Sequence, residues 1–481
     1  MTKPALTTVA AAFSAALLAG CSMAPAYQRP AAPVASDYAF SPSGAAAKTG
    51  FDTMLAGEGI PQAVDTSWRS YFVDPHLQQL IAAALEHNRD LRTAALRVQE
   101  ARALYEVQSA DRLPSVSGSV AATKAKTPAF LSTTGQSAIG KRYDVGLAVT
   151  AFELDFFGRV KSLSDAALAS YLASDEARQA AQIALVAQVA QAYYTERSYA
   201  EQQSLAERTY QARNSTYQLT RQRAEVGASS LLDLRSDETL MQTARAAALA
   251  LARQRAQAEN ALTLLVGQPP AAPASGNMPS DGLIDAMVTL PTGLPSDLLE
   301  RRPDIRAAEQ RLKAANANIG AARAAFFPRI SLTAGLGSSS PSLQGLFDSG
   351  SGSWSFAPQL VQPIFDSGRN RANLNVSEVR KDLAVADYEK TIQNAFREVA
   401  DALAARDYLG EQVAAQRAVQ EAQADRLRLL QLRQQNGVAS SLDVLDAQRE
   451  LFNAQQALVQ ARLLRTTSAI DLYRALGGGL K

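Results

Sequence analysis

Two segments of nearly seventy residues contain almost no helix-breaking residue, and they constrain the fold of this 481-residue chain more than any other feature. Residues 159–226 contain no glycine or proline, and residues 369–436 contain only Gly410. Alanine, glutamine and arginine are frequent there, and their side chains lose little freedom in a helix. Such a helix is roughly 100 Å long at about 1.5 Å per residue, far longer than the helices of ordinary globular domains.

The two long segments belong to an internal duplication. Asp90-Leu91-Arg92 recurs 214 residues later as Asp304-Ile305-Arg306, and Gly227 recurs 210 residues later as Gly437. The offset changes only once, by four residues, so one large unit has been copied rather than a short solenoid repeat. Repeat 1 and repeat 2 span residues 74–267 and 296–477.

Each repeat has the same predicted order of elements: a helix, a β-hairpin, a long helix and a shorter helix. The first helix of repeat 1 is predicted over 76–113, which lacks glycine and proline, and ends before Pro114. Its counterpart is predicted over 296–326 and ends before Pro328. The hairpins are predicted over 114–157 and 328–367, and the last helices over 230–266 and 440–476. Apolar residues recur at three- and four-residue spacing in the long helices, which indicates a packed, coiled-coil-like face. In the first long helix these residues are Ile183, Val186, Val189, Ala190 and Tyr193.

The hairpin sequences alternate between apolar and small or polar residues, as membrane β-strands do. Val116 and Val120 alternate with serines in the first hairpin, and Trp354 and Phe356 alternate with Ser355 in the second. The alternative is two soluble hairpins packed on helices. Four strands cannot close a barrel, and a barrel of eight is filled by its own side chains. Three chains would supply twelve strands and a lumen, so a conducting protein of this type is expected to be a trimer.

The N-terminus carries the pattern of a secretory signal, predicted over residues 1–20, with one lysine followed by an apolar stretch. Leu18-Ala19-Gly20-Cys21 resembles the bacterial lipobox, in which the cysteine is lipidated. The alternative is that Cys21 is a buried residue of the signal segment. Ser22 follows the cysteine, which by resemblance favours the outer membrane. No later segment has about 18 consecutive apolar residues, so a closed β-barrel is the expected way to span a bilayer.

Three further segments complete the predicted organisation. A lipid-anchored N-terminal linker covers 21–73, where alanine, proline, serine and glycine are frequent. A proline-rich inter-repeat segment covers 268–295, and a C-terminal tail covers 478–481.

Composition and motifs give no support for an enzyme, a cofactor, a metal site or a nucleic-acid partner. Lysine plus arginine is 48 and aspartate plus glutamate is 46, so no large charge excess is available to bind nucleic acid. The chain has one cysteine, which rules out a multi-cysteine metal site. It has only His76 and His87 as histidines, which argues against a histidine-rich site. No phosphate loop or hydrolase motif occurs in the strand-and-helix context it needs.

Three motifs together resemble the TolC-like outer membrane factors, in particular the lipoprotein branch of efflux exit ducts, the NodT type. They are Arg-Pro-Asp-Ile-Arg-x-Ala-Glu at 302–309, Phe-Phe-Pro-Arg-Ile at 326–330 and Gly-x-x-Ser-Ser-Leu-Asp-Val-Leu-Asp-Ala at 437–447. The resemblance implies a mainly α-helical homotrimer with a 12-stranded barrel in the outer membrane and an α-helical tunnel in the periplasm. It also implies a periplasmic adaptor (membrane fusion) protein and an inner-membrane RND-type transporter as partners. The implied function is passive export of drugs or other small molecules. The alternatives are a duct for metal ions or secreted proteins, and a non-conducting structural periplasmic lipoprotein.

By the same resemblance, the glycine turns form the periplasmic mouth, and acidic residues near them close the pore. Asp443 and Asp446 match the family's gate aspartates and would form a ring of six carboxylates in a trimer, which attracts cations. Asp233 occupies the place of Asp443 in repeat 1, but Ser236 replaces the second acid. Asp233 and Asp443 also fit helix capping boxes, an alternative role. The adaptor is expected to contact Val226, Gly227, Ala228, Ser229, Asn436, Gly437, Val438 and Ala439.

Overall fold

The structure is a computed structural model, and it describes residues 23–34, 66–133, 135–269 and 301–480. The chain divides into two compact units. Of the described residues, the sheet unit contains 23–31, 97–133, 135–175 and 307–389. The helical unit contains 32–34, 66–96, 176–269, 301–306 and 390–480. Within the described residues, none of the helices is both long enough and apolar enough to cross a membrane.

The described elements follow the order that the duplication predicts. In repeat 1 they are α1 Trp68–Tyr71, α2 Pro75–His87, α3 Arg89–Ala110, β1 Val116–Thr127, β2 Ala138–Glu153, α4 Arg159–Glu225 and α5 Leu231–Val266. In repeat 2 they are α6 Pro303–Ala324, β3 Arg329–Ser340, β4 Gly352–Val361, α7 Arg369–Gln435 and α8 Ser441–Ala475. Each long helix contains 67 residues. The duplicated, mainly helical fold with two hairpins is therefore confirmed.

The single helix predicted over 76–113 is wrong, because the structure divides it at Asn88 into α2 and α3. Asn88 has extended backbone angles, and its Oδ1 accepts a hydrogen bond from the Leu91 amide at 2.9 Å. Its Nδ2 donates to the Leu265 carbonyl near the end of α5 at 2.8 Å. A side chain that satisfies both helix ends can replace glycine or proline as the breaking residue.

The same break occurs at the equivalent position of repeat 2, where Arg302 precedes α6. Arg302 is 7% exposed, and its guanidinium donates to the Ala475 carbonyl of α8 at 2.9 Å. It also pairs with Asp304 and, at 3.0 Å, with Glu398. An amide in repeat 1 and a guanidinium in repeat 2 thus bind the C-terminal carbonyl of the last helix of their own repeat.

The four strands form one antiparallel sheet in the order β1-β2-β3-β4. The pairing of β2 with β3 joins the two hairpins, with a bulge between Val149 and Phe152. At the bulge Ala151 has a φ of +50°. No described strand pairs with the outer edges of β1 and β4. The sheet unit therefore has two unpaired edges.

The helical unit has a core of alanine, larger aliphatic and aromatic side chains along α4, α5, α7 and α8. The apolar face predicted in the first long helix is confirmed, since all five of its residues are at most 5% exposed. Farther along α4, Ala206 packs with Ala248 and Leu251 of α5, and Tyr199 and Phe452 lie against them. Small residues at these contacts allow helix axes to approach closely.

Candidate functional site

The turns after the two long helices have the same backbone geometry. Gly227 and Gly437 have φ values of +75° and +72°. In the first turn the Gly227 amide donates to the Ala224 carbonyl, and the Ala228 amide donates to the Arg223 carbonyl. This pair of bonds is the Schellman motif, and the second turn repeats it. Glycine occupies both turns because a left-handed φ strains any other residue.

A complete capping box begins each of the following helices. The Ser230 hydroxyl accepts from the Asp233 amide at 3.0 Å, and the Asp233 carboxylate accepts from the Ser230 amide at 3.3 Å. Ser440 and Asp443 form the same pair of bonds at 3.2 and 3.0 Å. Both aspartates therefore have the capping role that the sequence offered as an alternative to gating.

The hydrogen bonds from Ser440 hold the pKa of Asp443 below its ordinary value, with smaller contributions from Arg433 and Arg426. Asp443 is thus ionised and fully exposed in the single chain. The carboxylate therefore keeps its negative charge while its oxygens cap the helix.

Asp446 lies one turn beyond Asp443 and forms ion pairs with two arginines. Its carboxylate is 3.4 Å from the Arg426 guanidinium of α7 and also contacts Arg449 of α8. The sequence interpretation named the acid but missed both arginines. A comparison of the two repeats would have indicated these ion pairs, because the residues of repeat 1 that correspond to Arg426, Asp446 and Arg449 carry no charge. Those residues are Thr216, Ser236 and Thr239.

Repeat 1 joins α4 to α5 in another way. The Thr220 hydroxyl donates to the Asp237 carboxylate at 2.6 Å, and Asp237 is 9% exposed. The equivalent residues of repeat 2 are Leu430 and Ala447, which form no such bond. Nearest the turn, the first helical hairpin is therefore joined by a hydrogen bond to a buried carboxylate, and the second by partly exposed ion pairs. Farther from the first turn, Arg213 donates to the Leu240 carbonyl and Arg255 pairs with Glu196.

The surface around both turns is apolar and exposed. Val226, Leu232 and Leu442 are each at least 75% exposed, and Val438 is 65% exposed. A groove of about 780 Å³ lies beside the second turn. Its lining includes Leu429, Leu432, Arg433, Asn436, Val438 and Asp443. Apolar side chains with a few charged neighbours are typical of protein-docking surfaces.

Several predicted features lie outside the described residues. They are the signal segment 1–20, Cys21, most of the linker 21–73 and nearly all of the segment 268–295. In the described part of the chain, no group of three or more histidine, cysteine, aspartate or glutamate side chains could hold a metal ion.

Known proteins resemble this chain along nearly its whole length. The family model described as outer membrane efflux protein matches residues 80–268 and 294–478. The toluene efflux pump outer membrane protein TtgC of Pseudomonas putida is 48% identical, over 100% of this chain and 96% of that protein. Outer membrane protein OprJ of Pseudomonas aeruginosa is also 48% identical, over 100% and 97%. The solved open state of the Neisseria gonorrhoeae MtrE outer membrane channel gives a TM-score of 0.82 at 40% identity, covering 96% and 99%.

The chain belongs to the outer membrane efflux protein family. It is an outer-membrane component of an efflux pump, it works with partner proteins, and it is not an enzyme.

Proposed function

We propose that three copies of this chain form a continuous exit duct for small molecules, with a gate at the turns that follow α4 and α7. The single observation that carries the proposal is the four-stranded sheet, which has an apolar face and two unpaired edges. Unpaired strand edges are not tolerated in hydrocarbon, because each free backbone group costs several kcal/mol, roughly 2–7 by transfer data. Three sheets joined edge to edge give twelve strands without a free edge and leave room for a lumen.

The test of the duct is single-channel recording of the detergent-purified protein in planar bilayers, beside gel analysis of its oligomeric state. We expect discrete conductance steps from an SDS-resistant trimer. A monomer that retains β-structure and resists proteolysis, or a trimer that never conducts, would contradict the proposal.

We place the gate at the second helical hairpin, α7 and α8. Asp446 joins the two helices only through ion pairs that water can screen, and such pairs contribute roughly 0–1 kcal/mol. In a trimer, Asp443 and Asp446 would contribute six carboxylates, while Arg426 and Arg449 would contribute six guanidinium groups. The mouth is therefore closer to charge balance than a purely acidic ring, and opening requires the separation of Arg426 from Asp446.

The adaptor is proposed to dock on the two turns and on the apolar side chains beside them. The eight turn residues from Val226 to Ser229 and from Asn436 to Ala439 lie at equivalent positions in the two repeats, so one adaptor surface could recognise both. A periplasmic adaptor and an inner-membrane RND-type transporter are the partners that this architecture implies. The relative named for toluene efflux supports small apolar molecules as the transported class.

Lipidation of Cys21 is proposed as the membrane anchor. The described residues that follow Cys21 most closely in the sequence are 23–34, and several of them contact α6. The Arg29 guanidinium donates two hydrogen bonds to the Glu309 carboxylate, at 3.1 and 3.0 Å. The Pro25 carbonyl accepts from Asn316, and a side chain at Gly320 would collide with Ala24. Cys21→Ala should abolish incorporation of radiolabelled lipid, while Ser22→Ala should leave it unchanged. Equal labelling in Cys21→Ala and the parent would refute the anchor.

A further inference from the structure

The register of the sheet separates its residues into two chemically different faces. Residues directly opposite one another in antiparallel strands point to the same side, and the pairing connects Leu147 with Leu336 and Leu336 with Trp354. The large apolar side chains that are exposed on the described strands lie on this face, with the exception of Val361, the last residue of β4. They include Val116, Val120, Ile139, Leu147, Leu336, Trp354, Phe356 and Leu360. The other face carries mainly serine, glycine, alanine and threonine.

Three lysines extend the apolar face of the first hairpin at the end farthest from the helices. Lys124 and Lys126 follow Val120 along β1 at intervals that keep them on this face, and Lys141 is directly opposite Lys124. Val116 begins the strand next to α3, and Lys124 is eight residues farther on. At about 3.3 Å per residue this distance is roughly 26 Å along the strand. With the tilt of about 40° that outer-membrane strands have, it rises roughly 20 Å, so Lys124 would lie near one edge of an apolar band about 25 Å tall.

The lysines are unusual in number and in pairing. The chain has only ten lysines, so three of them within 18 residues form a concentration that the arginine-rich remainder does not share. Like charges directly opposite in a sheet are destabilising. In the described ranges no acidic side chain forms an ion pair with any of the three, whereas Arg142 on the other face pairs with Asp144 at 2.8 Å.

We propose that Lys124, Lys126 and Lys141, here named the lysine triad, bind the phosphate groups of anionic lipid in the outer leaflet. Long lysine side chains keep their stems on apolar surface and extend the ammonium group to the polar interface. The triad follows Val116 and Val120 along the apolar face, so lipid chains would cover these two valines while phosphates neutralise the ammonium groups. The choice of leaflet rests on the proposed periplasmic position of the long helices.

The experiment measures how much lipid the full-length protein retains. The purified protein is reconstituted in phosphatidylcholine vesicles containing fluorescent lipid A, which carries two phosphates, and bound lipid A is titrated by energy transfer from the protein. A variant with all three lysines changed to glutamine should bind about a hundredfold more weakly, because each basic residue near an anionic lipid surface contributes a factor of roughly five. Changing all three to arginine should preserve binding, as should Arg142→Gln at the same tip.

Each outcome decides the assignment. Unchanged binding by the glutamine variant would overturn it, as would equal binding of dephosphorylated lipid A by the parent. Displacement of lipid A by inorganic phosphate alone would identify a free-phosphate site and also overturn it. Far-ultraviolet circular dichroism and resistance to proteolysis, compared with the parent, show that each variant is folded whatever its oligomeric state. Channel conductance is recorded separately, so a failure of the duct proposal would leave the lipid result interpretable.

Discussion

The two helical hairpins that end at Gly227 and Gly437 share a turn and a cap but differ in what joins their helices. Both have the Schellman motif and the capping box in nearly the same geometry. Behind the first turn, Thr220 donates to a buried carboxylate. Behind the second turn, Asp446 contacts two arginines and its side chain is 39% exposed. The two copies of the duplicated unit thus have the same turn and helix cap but different contacts between their two helices. These contacts are Thr220–Asp237 in the first hairpin and Asp446 with Arg426 in the second.

The type of contact between the two helices of a hairpin determines how much free energy their separation costs. A buried hydrogen bond that is lost leaves an unsatisfied carboxylate, which costs about 1–3 kcal/mol or more. An exposed ion pair that is lost leaves two groups that water solvates, at a cost of roughly 0–1 kcal/mol. We therefore expect α7 and α8 to part first, and the following substitutions test that asymmetry.

The largest expected effect is on export. Gly437→Trp should abolish efflux, since the left-handed φ costs about 1–2 kcal/mol for a residue with a Cβ and the indole would occupy the proposed docking surface. Gly227→Trp at the equivalent turn should match it if the adaptor uses both turns. The readout is growth in the presence of an exported compound at matched expression.

Gly410→Ala provides the control for these glycine substitutions. Gly410 lies in the middle of α7, and no neighbouring atom lies within 4 Å of the point that an added Cβ would occupy. The alanine should therefore stabilise the helix by about 0.5–1 kcal/mol and leave export intact. Normal export by a well-expressed Gly437→Trp protein would disprove the docking contact.

The next largest effect is expected on the stability of the first helical hairpin, at the hydrogen bond between Thr220 and Asp237. Thr220→Val should lower the free energy of local opening of α4 and α5 by about 1–3 kcal/mol, because the buried Asp237 loses its donor. Hydrogen exchange of the amides in both helices measures this loss. The double change Thr220→Leu with Asp237→Ala, which copies repeat 2, should restore protection. If Thr220→Val exchanges like the parent, the bond does not stabilise the hairpin.

The caps should respond alike in the two hairpins. Asp233→Ala and Asp443→Ala should each reduce protection of the first turn of their helix, because both boxes lose the carboxylate that accepts from the N-cap amide. A difference between them would show that one carboxylate has a further stabilising contact.

Acidification provides a second measurement on Asp443. Its folded-state pKa lies below the unfolded value of 3.8. The contribution of its charge is therefore complete above about 3.8 and is lost as pH falls through the lower folded value. Protection of the first turn of α8 should decrease only in that acidic range, and Asp443→Ala should remove the dependence. A decrease near neutral pH would implicate another group.

The smallest effect on stability is expected at the ion pairs of Asp446 between α7 and α8. Changes there should act mainly on conduction. Asp446→Asn should change local stability by less than about 1 kcal/mol but increase the open fraction of the channel and reduce its cation selectivity. Asp443→Ala with Asp446→Ala should reduce selectivity further, and block by trivalent cations should decrease. Arg428→Ala, which breaks the exposed pair with Asp425 on α7 alone, is the matched control. An unchanged open fraction in Asp446→Asn would remove the gate role.

Helix bounds were predictable because breaking residues specify them locally. The segment predicted over 159–226 is Arg159–Glu225, and both long helices end at a glycine that needs a positive φ. The break at Asn88 was not predictable in this way, since it depends on the Leu265 carbonyl, 177 residues away in the sequence. Local propensity contains no information about such a partner.

In the candidate site too, features set by neighbouring residues were predictable from the sequence, and features that depend on a distant partner were not. The capping boxes were visible as serine and aspartate three residues apart. Arg426 was missed because its partner is 20 residues away across a turn. Positions at similar distances on either side of Gly437 face each other in a helical hairpin, and that geometric rule, together with the repeat offset, would have indicated the pair.

Asn88 and Arg302 have a consequence for genetic exchange between the halves. Transfer of the repeat 2 sequence into repeat 1 at this point would insert a guanidinium where repeat 1 has an amide. Asp90 of repeat 1 corresponds to Asp304, but Gln188 stands where repeat 2 has Glu398. The chimera would bury a guanidinium with one acidic partner instead of two, which lowers its stability. The two halves are therefore not interchangeable at this helix end.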